Sequence, residues 1–508
     1  MKKLPLIGGL VAVVALGGAG SIYYAGQKAE TEIKNAQSEF QKEVISLLAG
    51  DSISIVDTKY NRSFLSSDNQ FTILIRDGID ASGNEKPPVK LTIKQHIKHG
   101  PLLNTATGFK TGWYHVDYDL DLPTLFAEVA KSDAAFANWI SKHPKWVKLG
   151  YTVGLNEDRH VYLNTEALNE KTAMGTFEIA AASQQFTYTK AQDQIEFHFE
   201  LPKLAVNTTG SKQENILLEG LVYDGKTEPV EGKFNPLAGN STLKIASISA
   251  SGMKPSLPPA FPIEAPASDT AEPAAKPYSV KMDNLAFTYK GLLKDGFFDL
   301  SYLYELGNCE KCDELAINQK PVKSAKFGME LNHIHAASIS GLNETIANLY
   351  KTMLIDTIKS KGKPNTDQLT AQMAGIGMVA LTNLTTIAKN DPSFKISTVE
   401  VETKDGAKAN MSASATLKGL TDMDISGGNP MAALKKLYAE SSANFDWSLI
   451  PKEVLANPSL DKLIKAGWLK KENNHLLHSF KFEGGKITIF DKTYQSIAEL
   501  EAAAVQMQ

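Results

Sequence analysis

The chain has 508 residues, of which 43% are hydrophobic and 22% are charged. These proportions are typical of a folded globular protein and exclude a disordered or collagen-like chain. The net charge is -4, and the 57 acidic and 53 basic residues form no basic face of the kind that nucleic-acid binding requires. The length allows one large domain or two to three ordinary ones.

The chain opens with an uncharged stretch, residues 4–27. A helix over residues 4–25, rising about 1.5 Å per residue, would cross a hydrocarbon core of roughly 30 Å. Two lysines precede the stretch, so the positive-inside rule predicts a cytoplasmic N-terminus. Residues 1–26 are therefore predicted to be a retained transmembrane anchor. The alternative is a signal peptide that is cleaved at Ala19-Gly20-Ser21.

Residues 27–50 are predicted to continue as a membrane-proximal helix. Apolar side chains recur there at spacings of three and four, which places them on one helix face: Ile33, Ala36, Phe40, Val44, Leu47 and Leu48. Packing on the protein's own sheet is the favoured role of this face. Pairing with a second copy, which would give a homo-oligomer, is the alternative.

Residues 51–254 have a dominant period of two, which predicts antiparallel strands with one buried and one solvated face. The clearest strand patterns in this β-rich region cover residues 71–75, 89–93, 114–122 and 195–199. One helical pattern interrupts them at about residues 125–140.

Residues 255–278 are rich in proline and alanine and are predicted to be a linker or a long loop. An α+β region is predicted over residues 279–508. Its strand patterns cover residues 280–289, 297–306, 325–335, 395–403 and 408–420, with a hairpin at 476–490 around Gly484-Gly485. Its helical patterns cover residues 344–359, 367–389 and a segment from Asn429-Pro430 to Tyr438. The uncharged run at 368–388 is too rich in polar residues for a second membrane span.

The only two cysteines, Cys309 and Cys312, predict a local disulfide in an exported protein. They follow a strand and a turn, whereas a thioredoxin-type motif opens a helix. A zinc site would need two further ligands, for which His333 and His335 are the candidates. Metal binding and redox activity are the alternatives to a structural disulfide.

Most motifs that carry chemistry are missing from the sequence: no phosphate-binding glycine loop, no Gly-x-Ser-x-Gly and no His-Glu-x-x-His occurs. Ser459 and Lys462 have the Ser-x-x-Lys spacing of penicillin-recognising enzymes, and residues 110–112 match a second motif of those enzymes. The order of the two motifs is reversed here, and Asn457-Pro458 explains Ser459 as the start of a helix.

Two sets of polar residues share the spacing of metal ligands. Asp117, Asp119 and Asp121 alternate along one strand, as calcium ligands can, although a solvated strand face is the simpler interpretation. His96 and His99 lie beside Gly100-Pro101, which indicates a turn rather than a ligand pair.

Several short motifs occur in an order found in one bacterial group. They are residues 60–67 (YNRSFLSS), the turn at 99–101 (HGP), and the C-terminal segments 444–451 (NFDWSLIP) and 482–489 (FEGGKITI). With the apolar N-terminus, they resemble the YdgA-like proteins of Gram-negative bacteria, a family defined by a domain of unknown function. The chain departs from that family's pattern at Asp491-Lys492 and in its cysteine pair. The resemblance implies an inner-membrane-anchored, periplasm-facing protein without an assigned reaction.

The sequence thus predicts an α+β protein with an N-terminal transmembrane helix and a large, mainly antiparallel sheet with inserted helices. We expect a binding or scaffold role in the cell envelope, with lipid or envelope proteins as partners at the inner membrane. No catalytic residue, cofactor or metal is predicted, and the chain is not expected to be an enzyme. An enzyme with a dispersed site and a self-assembling structural protein are the alternatives.

Overall fold

A computed structural model describes residues 4–39, 53–75, 88–105, 108–131, 134–172, 175–191, 193–209, 214–230, 232, 234–254, 276–309, 316–342, 345–346, 349, 379–426, 434–496 and 499. Within these residues, alternating polar and apolar side chains build one continuous antiparallel sheet. The N-terminal sheet, as we call its first part, pairs six strands in order: β1 (Ile53–Arg62), β2 (Ser66–Ile75), β3 (Val89–His99), β6 (Tyr114–Asp119), β7 (Val147–Val153) and β8 (Arg159–Thr165). A separate hairpin joins β4 (Leu102–Thr105) to β5 (Gly108–Thr111).

The sheet passes from its first part to its second through four strands: β9 (Leu168–Thr172), β10 (Gly175–Ile179), β11 (Ser183–Tyr188) and β12 (Ile195–Thr208). Strand β11 joins β8 to the first half of β12, while β10 pairs with the second half of β12 and with β9. Strand β12 therefore connects the first part of the sheet to the second without a gap in the strand pairing.

The second part is a meander of long strands, in the order β12, β13 (Glu214–Thr227), β14 (Gly239–Lys254), β15 (Lys276–Lys294), β16 (Phe297–Cys309), β18 (Lys320–His335), β19 (Ser393–Thr403), β20 (Lys408–Leu417), β21 (Leu437–Asp446) and β23 (His475–Glu483). Strands β24 (Lys486–Ile489) and β25 (Lys492–Tyr494) continue it beyond β23. Two short strands, β17 (Ala316–Ile317) and β22 (Lys470–Glu472), pair with β18 and β23.

Four hairpins of the meander have two-residue turns in which both residues have positive φ. They are Asp295-Gly296, Asn318-Gln319, Asn473-Asn474 and Gly484-Gly485. Turns of this kind match the right-handed twist of the flanking strands and fix which residues face each other. The predicted hairpin at Gly484-Gly485 is confirmed, with Glu483 paired to Lys486.

Helix α1 runs from Leu4 to Glu39, and its second half packs on the N-terminal sheet. Its residues Ala29 and Ile33 form one buried cluster with four sheet residues: Ile97, Tyr114, Val116 and Val153. Helix α1 lies close to the sheet at Gly26, where a Cβ atom would be only 2.8 Å from Cε1 of His99. The prediction that Ile33 packs on the protein's own sheet is confirmed, whereas residues 40–50 of the predicted helix lie outside the described residues.

The predicted transmembrane anchor is not supported and is corrected here. No helix among the described residues is long and apolar enough to cross a membrane. One helix covers both the predicted anchor and the start of the predicted membrane-proximal helix, and its second half bonds to the sheet. Lys28 Nζ donates to Glu157 Oε1 at 2.7 Å, and the Tyr114 hydroxyl donates to Glu32 Oε2 at 2.7 Å. Within the described residues, the fold is therefore a β-rich sheet with a docked N-terminal helix.

The remaining helices with defined bounds are short. They are Leu122–Leu125, Ala127–Ala130, Ala134–Lys142, Asp422–Ser426, the 3-10 helix Trp447–Leu449, Lys452–Leu455 and Pro458–Lys465. The helix predicted at 125–140 is thus three short helices. The predicted helix ending at Tyr438 is wrong at its end, because Leu437 and Tyr438 begin β21, whose cross-strand pairing outweighs their helical spacing. Its start at Asn429-Pro430, and much of the helices predicted at 344–389, lie outside the described residues.

The predicted linker at 255–278 connects two neighbouring strands of the sheet. Strands β14 and β15 pair from Gly239 opposite Gly291 to Lys254 opposite Lys276, so the prediction is wrong for residues 276–278, which belong to β15. The sheet therefore continues without a break from one side of this segment to the other. Residues 255–275 lie outside the described residues.

A line of irregular residues crosses five neighbouring strands of the meander, where the regular pairing is interrupted. The line consists of Pro202, Gly220, Ala246, Asn284 and Gly307. Gly220 and Asn284 have positive φ, of 61° and 54°. The packing is tight, since a Cβ atom on Gly220 would lie 2.8 Å from that of Ala246. Such interruptions locally bend strands, and this one runs beside the candidate site.

Candidate functional site

Ten neighbouring strands carry an unbroken row of apolar side chains on one face of the sheet. In each pair of strands the members lie directly opposite each other: Leu201, Leu221, Ile245, Leu285, Leu306, Ala325, Val401, Ala409, Phe445 and Leu476. We call this the first apolar row. Because paired strands lie about 4.8 Å apart, the row is about 43 Å long.

A second apolar row lies on the same face, two residues further along each of the first nine strands. Its members are Phe199, Tyr223, Leu243, Phe287, Tyr304, Phe327, Val399, Met411 and Ala443. The two rows together form a band that crosses the strands rather than following any one of them.

The centre of this band is the floor of an open trough. Two cavities of about 580 and 470 Å³ lie on it and share Val399 and Val401. The larger cavity is lined by β14, β15, β16, β18 and β19. The smaller one is lined by β19, β20, β21, residues 449–451, Ile317 and Leu476. Volumes of this size are typical of sites for organic ligands.

Aromatic rings cover the middle of the floor. The ring centroids of Phe287 and Tyr304 are 4.7 Å apart, and those of Tyr304 and Phe327 are 6.1 Å apart. Tyr304 is 48% exposed and Phe327 is 38% exposed. Aromatic side chains gathered in a continuous exposed patch usually mark a binding surface, because single exposed residues are common but patches are not.

The opposite face of the same strands is polar. Lys326, between the two rows on β18, pairs with Glu305 on β16 at 3.1 Å. Lys323 pairs with Glu402 on β19 at 2.8 Å. Only one face of this part of the sheet is therefore suited to an apolar ligand.

Packed clusters close the trough on both sides. Beyond the second row, Phe298, Leu300 and Ile334 are buried beneath Ile339 and Ile387 of the segments that follow β18 and precede β19. At the other side, Leu449 packs against Ala409 and Phe445 of the first row and its neighbours. The amide of Asn318 donates to the carbonyl oxygens of Ser448 and Ile450, at 2.9 and 3.0 Å, and fixes this side.

The sequence matches, over residues 1–495, the family described as bacterial protein of unknown function (DUF945). The chain belongs to the DUF945 family. No curated protein and no solved structure matches it.

The three acids of the predicted calcium site have separate partners in this DUF945 chain. Asp117 Oδ1 lies 3.0 Å from Nε2 of His115 and accepts a hydrogen bond from the Tyr162 hydroxyl. Asp119 pairs with Lys145, and Asp121 caps a helix by accepting from the Thr124 amide at 3.2 Å. Among the described residues, no group of three or more His, Cys, Asp or Glu side chains is arranged to hold a metal ion.

His115, Asp117, Tyr162 and Thr152 form a buried polar network in the N-terminal sheet. His115 Nδ1 lies 2.8 Å from the Thr152 hydroxyl, and both residues are almost fully buried. Burial raises the pKa of Asp117, but the hydrogen bonds from His115 and Tyr162 outweigh it and hold this pKa below its ordinary value. Burial and the hydrogen bond to Asp117 raise the pKa of Tyr162. Because no substrate can reach His115 or Thr152, the network stabilises the sheet.

The fold separates His96 from His99, whereas His333 and His335 both lie beside Phe297. His96 is exposed beside Asp68, whereas His99 is buried against α1. His333 Nδ1 lies 2.6 Å from the Asn390 carbonyl oxygen, and His335 Nδ1 lies 2.8 Å from the Ser338 hydroxyl. Both lie at the end of β18, beside the first residue of β16, and the last residue of β16 is about 40 Å away at about 3.3 Å per residue. They are therefore too far from Cys309 to share a zinc ion with it.

Cys309 is buried at the end of β16 and is disulfide-bonded. Cys312 lies outside the described residues, so the pairing of these two cysteines stays a prediction. Ser459 is in the first turn of the helix Pro458–Lys465, where its amide donates to Asn457 Oδ1 at 2.9 Å, which confirms the predicted helix start. Lys110 lies in the β4–β5 hairpin, far from Ser459 in the strand order.

The sequence predicted many of the strands that carry the trough but not the trough itself. Phe287, Tyr304 and Phe327 belong to strands that were recognised from their alternating pattern. Their alignment into a row depends on three separate strand registers. Only pairs of residues that change together among homologues could have revealed it.

The buried network predicts a pH-dependent cost for Asp117→Asn. A carboxyl whose pKa is lowered by folding stabilises the protein above the unfolded pKa of about 3.9, and this contribution is lost as the pH falls through the folded pKa. At pH 7 we expect Asp117→Asn to lower the free energy of unfolding by about 1.5–3 kcal/mol, the usual worth of hydrogen bonds to a charged group. Below about pH 4 the difference from the wild type should shrink.

Urea denaturation over a range of pH values measures this effect. Asp57→Asn, at an exposed position of β1, is the control and should change the stability by less than about 0.5 kcal/mol. A loss for Asp117→Asn that is the same at pH 3 and pH 7 would contradict the assignment.

Proposed function

We propose that this protein binds lipid in the bacterial cell envelope and holds acyl chains along the trough. The observation that carries the proposal is the pair of unbroken apolar rows, whose central members line an open trough. Burial of each methylene group contributes about 0.8 kcal/mol, so ten methylenes in the trough would supply about 8 kcal/mol before the entropic cost of binding.

The chemistry of the floor favours an acyl chain over a polar ligand. Neither apolar row contains a charged residue, while Lys326 and Glu305 between them point to the opposite face. A charged group on the floor would lose its hydration without gaining a partner. The polar headgroup of the ligand would therefore lie outside the trough, and its chain would lie across the strands.

We further propose that the protein works in the periplasm, at the inner membrane, and that it is a YdgA-like member of its family. The disulfide at Cys309 supports an oxidising compartment. The motifs at 60–67, 444–451 and 482–489 support the YdgA-like assignment, and the motif at 444–451 contributes residues to the lining of the smaller cavity. The proposed role is binding rather than catalysis, because the histidine of the polar network in the N-terminal sheet, His115, is fully buried.

The location predicts that the cysteines are oxidised in living cells. When cells are quenched in acid and free thiols are alkylated with a maleimide-polyethylene glycol, we expect no mass shift until a reductant is added. Cys309→Ser should show one reactive thiol without reduction, which controls for access of the reagent. A shifted, fully reduced wild-type chain would place the protein in a reducing compartment and contradict the location.

The trough predicts that its aromatic floor determines affinity for fatty acids. We expect Tyr304→Glu and Phe327→Glu to weaken binding of the fluorescent fatty acid cis-parinaric acid by at least about tenfold, or about 1.4 kcal/mol, because a carboxylate on the floor would be desolvated. Fluorescence titration of the purified full chain measures this affinity.

Thr288→Glu is the matched control for these variants. Thr288 follows Phe287 on β15, so the same substitution falls on the opposite face of the sheet. Its affinity should match that of the wild type, and thermal melting should show all three variants folded. Unchanged affinity in both trough variants, or an equal loss in the control, would refute binding in the trough.

A further inference from the structure

Large apolar side chains are also exposed far from the trough, at one end of the N-terminal sheet. Six of them are between 55% and 75% exposed: Tyr23, Tyr24, Phe64, Leu65, Leu102 and Phe109. They come from α1, from the turn between β1 and β2, and from the β4–β5 hairpin. We call this set the apolar rim.

Backbone hydrogen bonds bring these three elements together. The His99 amide donates to the Leu65 carbonyl oxygen at 3.1 Å, and the Gly100 amide donates to the Trp113 carbonyl oxygen at 3.0 Å. The Tyr24 ring meets the Trp113 ring edge-on, with centroids 5.5 Å apart. The turns before β2, before β4 and before β6 therefore lie side by side at the end where α1 meets the sheet.

The β4–β5 hairpin directs its apolar side chains outward. Asn104 pairs with Phe109, and Leu102 pairs with Thr111, so these residues share one face. Leu103 lies on the other face and is buried. One face of the hairpin therefore packs on the rest of the protein, and the other face leaves Leu102 and Phe109 exposed to solvent.

The charges around the rim favour an anionic surface. The nearby acids are already paired: Glu30 with Lys34 at 2.7 Å, and Glu157 with Lys28 at 2.7 Å. Lys98 extends to the carbonyl oxygen of Asn104 at 2.8 Å, next to Phe109, and lies 4.0 Å from Asp117, yet its side chain stays 45% exposed. An exposed basic side chain beside apolar tips matches the anionic headgroups of bacterial phospholipids.

We propose that the apolar rim docks on the surface of a phospholipid bilayer. Tyrosine and phenylalanine side chains prefer the headgroup level of a membrane, where an apolar ring and polar surroundings are both satisfied. The residues of α1 that precede the rim, 4–21, carry no charge. The rim consists of the tips of three elements rather than a groove, which suits a soft planar surface better than a folded partner.

Docking of the rim goes beyond lipid binding in the trough and does not depend on it. It sets the orientation of the N-terminal sheet, because the end of this sheet at which the rim lies would face the membrane. A lipid surface at the rim and an acyl chain in the trough are separate contacts, so loss of one leaves the other measurable.

Site-specific fluorescence tests the rim in the full chain. Single cysteines at Phe64→Cys and Phe109→Cys would carry a nitrobenzoxadiazole label, and Met423→Cys is the control, since Met423 is apolar and 83% exposed but lies between β20 and β21. The native Cys309 is disulfide-bonded and does not react. The labelled proteins are mixed with vesicles of phosphatidylethanolamine and phosphatidylglycerol, with and without nitroxide-labelled phospholipid.

We expect nitroxide lipids to quench the labels at 64 and 109 several-fold more strongly than the label at 423. Equal quenching at all three sites would overturn the proposal, because the rim would then have no preference for lipid. A blue shift at 109 that nitroxide lipids do not quench would also overturn it, because a protein or a second copy would then cover the rim.

Discussion

The register between neighbouring strands is the constraint on which the trough depends. Side chains alternate between the two faces of a strand, so a slip of one residue would replace an apolar row member by its polar neighbour. On β16, for example, Glu305 would take the place of Leu306 between Leu285 and Ala325. Two-residue turns with positive φ, such as Asp295-Gly296 between β15 and β16, fix this register locally. The apolar face is therefore the sum of many separate strand pairings.

Local pattern was sufficient for much of the fold, but not for the arrangement of the site. Alternation predicted strands at 71–75, 195–199 and 297–306, which lie within β2, β12 and β16. It failed at Leu437 and Tyr438, where helical spacing and a strand of the sheet compete and cross-strand pairing decides. The trough itself could not be predicted, because it is made by contacts between residues far apart in sequence. The apolar N-terminus shows a related limit, since its composition says nothing about the packing of α1 on the sheet.

The two parts of the sheet use their polar residues differently. In the N-terminal sheet, His115, Asp117 and Tyr162 satisfy one another inside the structure, and Glu32 joins α1 to Tyr114. In the meander, charged pairs such as Glu305 and Lys326 cover only one face and leave Tyr304 and Phe327 exposed on the other. These exposed rings, in an unbroken apolar row, are the feature on which the proposal of lipid binding rests.

Photo-crosslinking tests the central claim, that an acyl chain lies across the strands on this face. A fatty acid with a diazirine in its chain would be bound to the full-length protein and irradiated, and the labelled peptides would be identified by mass spectrometry. The account predicts labels on row members of several strands, including Phe287, Tyr304 and Phe327, that an excess of unlabelled fatty acid removes. Labels confined to the polar face, or labels that competition does not reduce, would contradict it.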